Sequence, residues 1–250
     1  MGRRLVLLVV IAAVIVAAVA WQAPATLVST RVERLLGHRV TLANSGGTVW
    51  NGHGTLVTSD ARLPLRWRVH PQALLRGELA VTIAPDAPGA NAPRADIVAT
   101  EHGSRIHSAY LELPASALID AAVPRPRMDA AGTVSVDATD LEWPLARSST
   151  GAVNATWRDA RIGVAGSEKI DLGDIGTQLR MQQGTLTGPI TNTHGEFAIA
   201  GTLTVLPGGA GTIAGVVRPR RPDDPRTAAL RALGAPEGDG VRLEWRWPAP

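Results

Sequence analysis

The sequence predicts a mainly β protein: an N-terminal transmembrane helix, then one large curved antiparallel sheet, open as a trough or half-barrel, with a few short helices. Three observations predict it. The hydrophobic pattern changes from helical spacing to strict alternation near residue 38 and keeps that alternation to the end of the chain. Glycine (26) and proline (18) are too frequent for a helical protein and punctuate the chain at hairpin intervals. Finally, the one long apolar run stands at the N-terminus, behind two arginines. Segments with one apolar and one polar face suit antiparallel strands, which can leave a face wet, and argue against a parallel α/β fold.

Taken in order, "MGRRLVLLVVIAAVIVAAVAWQAP" places Arg3 and Arg4 ahead of an unbroken apolar stretch from Leu5 through Val14 to Trp21. As a helix it would measure roughly 26 Å, slightly under the ~30 Å hydrocarbon core of a bilayer. Ala18-Val19-Ala20 has the form of a signal-peptidase site, so a cleavable leader is the alternative. The run exceeds the usual h-region, has no polar c-region and ends in an interfacial tryptophan, which favours an uncleaved anchor. Either reading keeps the arginines in the cytoplasm and sends residues 25–250 across the membrane. The chain then divides into a start and anchor (1–24), a juxtamembrane helix (25–37) and a β domain (38–250). The helix rests on Leu27, Val28, Val32, Leu35 and Leu36 at helical spacing, with Gly37 as its stop.

"GGTVWNGHGTLV" (46–57) raises the first chemical question, because four glycines beside a tryptophan could cradle a phosphate. No Gly-Lys-Ser/Thr follows, and Gly52 and Gly54 are not completed to Gly-x-Gly-x-x-Gly. The stretch instead predicts a structural hairpin carried by Gly47, Trp50, Asn51 and Gly52, with Asn51-Gly52 as a two-residue type I′ turn. Alternation is plain in "LRWRVH" (65–70), "EFAIAGTLTV" (196–205) and "VRLEWRW" (241–247). Gly-Thr-aliphatic recurs at 47, 54, 132, 184, 201 and 211, each expected to open a strand after a turn. An offset of 19 superposes Gly132, Val134 and Asp140 on Gly151, Val153 and Asp159, as in a meander of similar hairpins. Residues 113–124 and 223–234 carry helix signals, the second with Asp224 as N-cap, Pro225 at the first position and Gly234 at the end. The proline-rich 84–94 is expected to be a loop, and a place where the sheet could divide into two lobes.

Function classes fall away by residue type. With no cysteine there are no disulfides, thiolate metal sites or thiol nucleophiles. A net charge of +3 without a basic stripe gives no footprint for nucleic acid. Histidines 38, 53, 70, 102, 107 and 194 show neither i, i+4 nor His-x-His spacing; His102 and His107, the nearest pair, flank a turn. No Gly-x-Ser-x-Gly elbow occurs, and the pairs Asp137/Asp140 and Asp171/Asp174 read as turn and strand-end residues. No catalytic, cofactor-binding or metal-ligating residue is assigned. Trp67, Phe197, Ile199 and Trp245 are the candidates for an apolar groove, if the alternating faces line one instead of closing into a core.

The order of "GGTVWNGHGTL", "GTVSVDATDLEW", "GAVNATWRDARI", "LGDIGTQLRMQQGTLTGPITNTHGEFAIAGTLTV", "GTIAGVVRPR" and "RALGAPEGDGVRLEW" after a basic start and one apolar run resembles the type II secretion system protein N family. The resemblance implies a single-pass inner-membrane protein with a cytoplasmic N-terminus and a periplasmic β domain. It also implies an accessory or structural role, with other type II secretion subunits as partners, in exporting folded proteins from the periplasm. At the level of fold alone it is similar to AsmA-like proteins, whose curved sheets present an apolar trough. That makes a periplasmic carrier of lipid or another hydrophobic ligand the second reading. The resemblance brings no catalytic residue and no cofactor.

Overall fold

The computed structural model describes residues 24–25, 41–57, 62–86, 93–116, 128–164, 169–221 and 234–247. The anchor residues Arg3, Arg4, Leu5, Val14 and Trp21 and the juxtamembrane helix, apart from Ala25, lie outside them. So do the bodies of both expected helices, 117–127 and 222–233. Among the described residues no helix is long and apolar enough to cross a membrane.

The described chain forms one open antiparallel sheet of fourteen strands. In chain order these are β1 (Thr41–Gly47), β2 (Asn51–Val57), β3 (Arg62–His70), β4 (Leu79–Pro85), β5 (Arg94–Thr100), β6 (Gly103–Pro114) and β7 (Met128–Trp143). They continue as β8 (Ala152–Val164), β9 (Ile170–Gln182), β10 (Thr185–Thr193), β11 (Phe197–Val205), β12 (Gly211–Pro219), β13 (Ala235–Glu237) and β14 (Gly240–Trp247). Each strand pairs with its predecessor through β12; only the end departs, where β14 pairs with β12 and β13 takes the edge. A single-turn helix, α1 (Pro71–Leu74), links β3 to β4 and was not foreseen. The 84–94 stretch does not divide the sheet, since β4 and β5 pair across it from Leu79↔Ala99 to Ile83↔Ala95. The loop is accommodated because two antiparallel neighbours need contact only along the strands, not at the turn.

Alternation becomes register. Trp67, Ile83, Ala95, Ala109, Ala138, Val153 and Leu179 are successive partners from β3 to β9, and Leu203, Ile213 and Trp245 continue the row on β11, β12 and β14. Directly paired residues share a face, so one face of the whole sheet is apolar while arginines, carboxylates and threonines take the other.

The 46–57 stretch is a hairpin whose turn lies elsewhere than at Asn51-Gly52. Gly47 pairs with Gly52, so Thr48, Val49 and Trp50 make the turn and Asn51 begins β2. Gly47 supplies the positive φ (85°), and Thr48 closes the loop: its N–H donates to Asn51 O (3.0 Å) and its Oγ1 accepts from Asn51 N–H (3.1 Å). Gly52 has another purpose. It is the register partner of Trp67, and a Cβ there would sit 2.4 Å from Trp67 Cζ2, so the indole lies where any side chain would be. Trp67 Nε1–H then reaches Val49 O at 3.0 Å. The same device recurs where Trp247 lies on its partner Gly211 and donates to Gly209 O at 3.0 Å.

The Gly-Thr-aliphatic tripeptides open strands only at Gly184 and Gly211; those at Gly54, Gly132 and Gly201 lie inside β2, β7 and β11, and the one at Gly47 ends β1. The strands outrun the hairpins that the glycines suggested, because glycine here relieves crowding within the sheet as well as at turns. The offset-19 match has a structural cause. Asp140 and Asp159 both take left-handed φ (48° and 49°), and each faces a positive-φ glycine: Asp140 faces Gly151, and Asp159 faces Gly132. A Cβ at Gly132 would lie 2.6 Å from Asp159 O, and one at Gly151 2.7 Å from Asp140 O. Asp159 and Gly132 form a bulge between β7 and β8, where the register shifts between Ala131 and Thr133 and twist increases, whereas Asp140 and Gly151 meet just past the last pair, Thr139↔Ala152. Asp171 and Asp174 likewise sit inside β9, not at turns.

Gly52→Ala should destabilise the full chain by about 1–3 kcal/mol, the usual effect of forcing a methyl into a filled site. Gly176→Ala, where a Cβ would meet nothing within 4 Å, should change stability by less than about 0.5 kcal/mol. Thermal unfolding followed by tryptophan fluorescence separates the two; equal effects would contradict the packing of Trp67 on Gly52.

Candidate functional site

The apolar face is the only extended chemical feature that the described residues share, and it is not uniform along the sheet. Near the start, Trp67 (6% exposed) and Val69 pack with Leu42 and Ala25, supported by Trp50, Leu65, Val81 and Ile83. In the middle, Leu145 folds back over Leu179 and Leu186, beside Val153, Met181 and Leu203. Toward the other rim of the strands, Phe197 (0% exposed) lies among Ala160, Leu172, Val217 and Val241, with Trp157 and Ile175 against them.

The four groove candidates therefore do not form one site. Trp67 and Phe197 are closed into separate packing clusters. Ile199 is half-buried beside Phe197, and Trp245 stands 46% exposed on β14, tilted against Trp247 at 5.8 Å between ring centroids. Trp67 and Trp245 share one register row but are separated by ten strand steps, roughly 48 Å along the sheet at ~4.8 Å per step. This face is partly open at its β11–β14 end, where Trp245 and Leu206 are exposed beside the half-buried Leu203 and Ile213, and Leu79 is exposed on β4.

One polar residue sits in the middle of the apolar face and was missed by sequence reading. Asn192 stands on β10 between Ile175 of β9 and the Ile199 position of β11. Its Nδ2 donates to Leu172 O (2.6 Å), Phe197 O (2.8 Å) and His194 O (3.1 Å), and its Oδ1 accepts from Ile199 N–H (2.7 Å). The side chain thereby ties three strands at the place where the β10–β11 hairpin would otherwise leave backbone groups unpaired beneath Phe197. Asparagine in a strand carries no periodic signal, since it reads as a turn residue.

The opposite face holds cross-strand ion pairs: Arg66 with Asp86, Arg105 with Glu142, Arg158 with Glu112 and Arg218 with Asp239. All are partly exposed, and such pairs contribute on the order of 0–1 kcal/mol each. The Arg105 guanidinium, with a hydrogen bond from Ser149, holds the Glu142 carboxyl below the usual glutamate range. Tyr110 O–H donates to Glu112 Oε2 at 2.7 Å, and that bond to a carboxylate raises the phenol above its ordinary value. Arg158 reaches the same oxygen at 3.0 Å and Arg94 stacks 5.2 Å from the ring centroid. This group is fully partnered on an outward face and offers no cleft for a substrate. His102 lies in the β5–β6 turn and His107 on β6; each faces a single carboxylate, Glu101 at 3.5 Å and Asp140 at 3.7 Å. Among the described residues no three His, Cys, Asp or Glu side chains gather as a metal set.

With no metal-ligand cluster among the described residues, the family is read from the overall pattern of the chain. The family model described as type II secretion system (T2SS), protein N matches residues 38–244, from just ahead of β1 into β14. The chain belongs to the type II secretion system protein N family. Comparison with curated proteins and with solved structures gave no significant match. Membership makes this protein N an accessory component of type II secretion, working with other components of that system. The match spans the whole described sheet except the last strand's end, so the family's pattern is the pattern of the meander.

Asn192→Leu should lower stability by about 2–4 kcal/mol, because several carbonyls and one N–H lose their partner while shape is roughly kept; the midpoint of thermal unfolding checks this. A second expectation concerns acid. With its pKa lowered in the folded state, Glu142 contributes stability that is present above the ordinary glutamate range and is lost as pH falls through the folded value. Carbon-detected NMR should show Glu142 titrating below the usual glutamate range, and Arg105→Gln should move it back up toward that range.

Proposed function

We propose that this protein N is a non-catalytic scaffold of the type II apparatus, tethered to the inner membrane by residues 1–24 with its sheet in the periplasm. The match of the family model to nearly the whole meander supports this, together with an architecture that leaves two sheet edges unpaired among the described strands. The edges differ. β13 has three residues and contains Pro236, which cannot donate to a further strand. β1 has seven residues with neither proline nor charge, and its bulge between Ala43 and Gly46 leaves Thr41–Ala43 regular. Partner subunits are accordingly assigned to the β1 edge, by addition of a strand.

The partly open β11–β14 end of the apolar face favours a second reading, a periplasmic carrier of lipid or another hydrophobic ligand. Photo-crosslinking in native membranes, with probes replacing Thr41 on β1 and Trp245 on β14, separates the two. Adducts of Thr41 with secretion subunits support the scaffold; phospholipid adducts at Trp245 without protein adducts at Thr41 support the carrier. Deletion of residues 1–24 behind a cleavable leader should abolish secretion although the sheet still accumulates. Full secretion by that soluble form would contradict the tethered scaffold.

A further inference from the structure

The connection between β3 and β4 exposes apolar side chains in a way that a water-facing loop does not require. Leu74, Leu75 and Leu79 are three of the six large hydrophobic residues that the described chain leaves exposed, and they fall within six positions; Leu75 is 90% exposed. The loop is nonetheless well formed. Arg76 N–H donates to Ala73 O (2.9 Å), Gly77 N–H to Leu74 O (3.0 Å) and Glu78 N–H to Ala73 O (3.1 Å). Ala73 is buried and holds the turn against the sheet, so the leucines are turned outward by a fixed backbone. Arg76 and Glu78 pair with each other at 3.1 Å, which leaves no isolated charge beside the leucines.

The position of this loop identifies what it faces. Val69 N–H donates to Trp50 O at 2.7 Å, which places the end of β3 against the turn of the β1–β2 hairpin. Pro24 bridges to Thr48 in that same turn, and Ala25 N–H donates to Gly47 O at 3.2 Å. The described chain therefore enters the sheet at the end where the leucine loop projects. Trp21, the last residue of the apolar run Leu5–Trp21, is three positions before Pro24, and three residues reach at most roughly 10 Å.

We propose that the β3–β4 connection, together with the first residue of β4, inserts Leu74, Leu75 and Leu79 into the interfacial layer of the bilayer that the N-terminal run enters, as a second membrane contact. The inference rests on reading residues 5–21 as the anchor. Apolar side chains on a compact turn, with a charged pair able to stay at headgroup level, are the chemistry of an interfacial contact. A single helix tether leaves the sheet free to swing. A second contact beside it fixes which end of the strands faces the lipid.

The chain contains no cysteine, so single labels can be placed without removing any native residue. The full chain is reconstituted into vesicles of phosphatidylethanolamine and phosphatidylglycerol. An environment-sensitive fluorophore is attached in separate preparations to Leu75→Cys, to Val14→Cys and to Arg62→Cys, which starts β3 at its opposite end. Lipid-borne quenchers should quench the Leu75→Cys label several-fold more than the Arg62→Cys label. Adding Leu74→Ser and Leu79→Ser should bring the Leu75→Cys label down toward the Arg62→Cys level. If Val14→Cys is quenched but Leu75→Cys matches Arg62→Cys, the anchor stands and the loop contact is overturned. If neither Val14→Cys nor Leu75→Cys is quenched, the anchor reading fails and takes this inference with it. Quenching at Leu75→Cys that ignores the serine substitutions reflects the dye and also overturns the proposal.

Discussion

Register is the constraint on which the rest of this structure depends. In a meander ordered almost wholly by sequence, each strand is positioned only by its neighbours, and no second layer among the described residues corrects an error. Because side chains alternate with period two, a one-residue slip in any pair would move every apolar residue beyond it to the wet face. The devices found along the sheet all oppose such a slip. Trp67 fits on Gly52 and Trp247 on Gly211, so in each case only one partner position is empty enough for the indole. The Asp140/Gly151 and Asp159/Gly132 contacts each need a left-handed residue opposite a glycine. Asn192 reads the backbone of β9, the β10–β11 turn and β11 together, and a shift of one residue would break all of its bonds.

These devices explain what was legible in the sequence and what was not. Strand existence and the inward set at 65–70, 196–205 and 241–247 were legible because alternation is local and burial enforces it. The turn at 46–57 was misplaced because Asn-Gly suits a type I′ turn, while Gly52 is required for a contact with Trp67 fifteen positions away. Long-range crowding leaves the same residue, glycine, as a turn does. The Gly-Thr-aliphatic pattern failed within strands for that reason. The offset-19 match was visible but could not be interpreted, since its meaning lies in the pairing of each aspartate with the other repeat's glycine. Asn192 and the leucine loop gave no periodic signal. A polar residue in a strand and three leucines near a proline become informative only when their surroundings are known.

The graded closure of the apolar face follows from the same architecture. A single sheet can bury its inner face only where side chains are large enough to cover one another or where a connection folds back. Phe197 and Val241 are the largest side chains fully removed from solvent among the described residues, and Leu145 covers Leu179 and Leu186 from a loop. Where β8, β11 and β12 supply Trp157, Phe197 and Val217 in adjacent rows, the face closes. Toward the other ends of β11, β12 and β14, Gly211 and Ile213 supply too little bulk, and Trp245 is left uncovered.

The ends of the strands must then be considered separately from the faces. Leu75 at β3–β4 and Trp245 near the end of β14 lie toward the same rim in the sense of strand direction. At a usual twist of roughly 20° per strand, the ten steps between them turn that rim by about 200°. A rim that met a bilayer beside Pro24, as proposed, would thus be turned away from it at β14. On the proposed anchor and loop contact, the membrane would touch only the first strands, and the apolar surface near Trp245 would face away from it. Twist of that size would separate the proposed tethered end of the sheet from its partly open β11–β14 end, and one continuous meander could then hold a membrane at one end and engage a second component at the other.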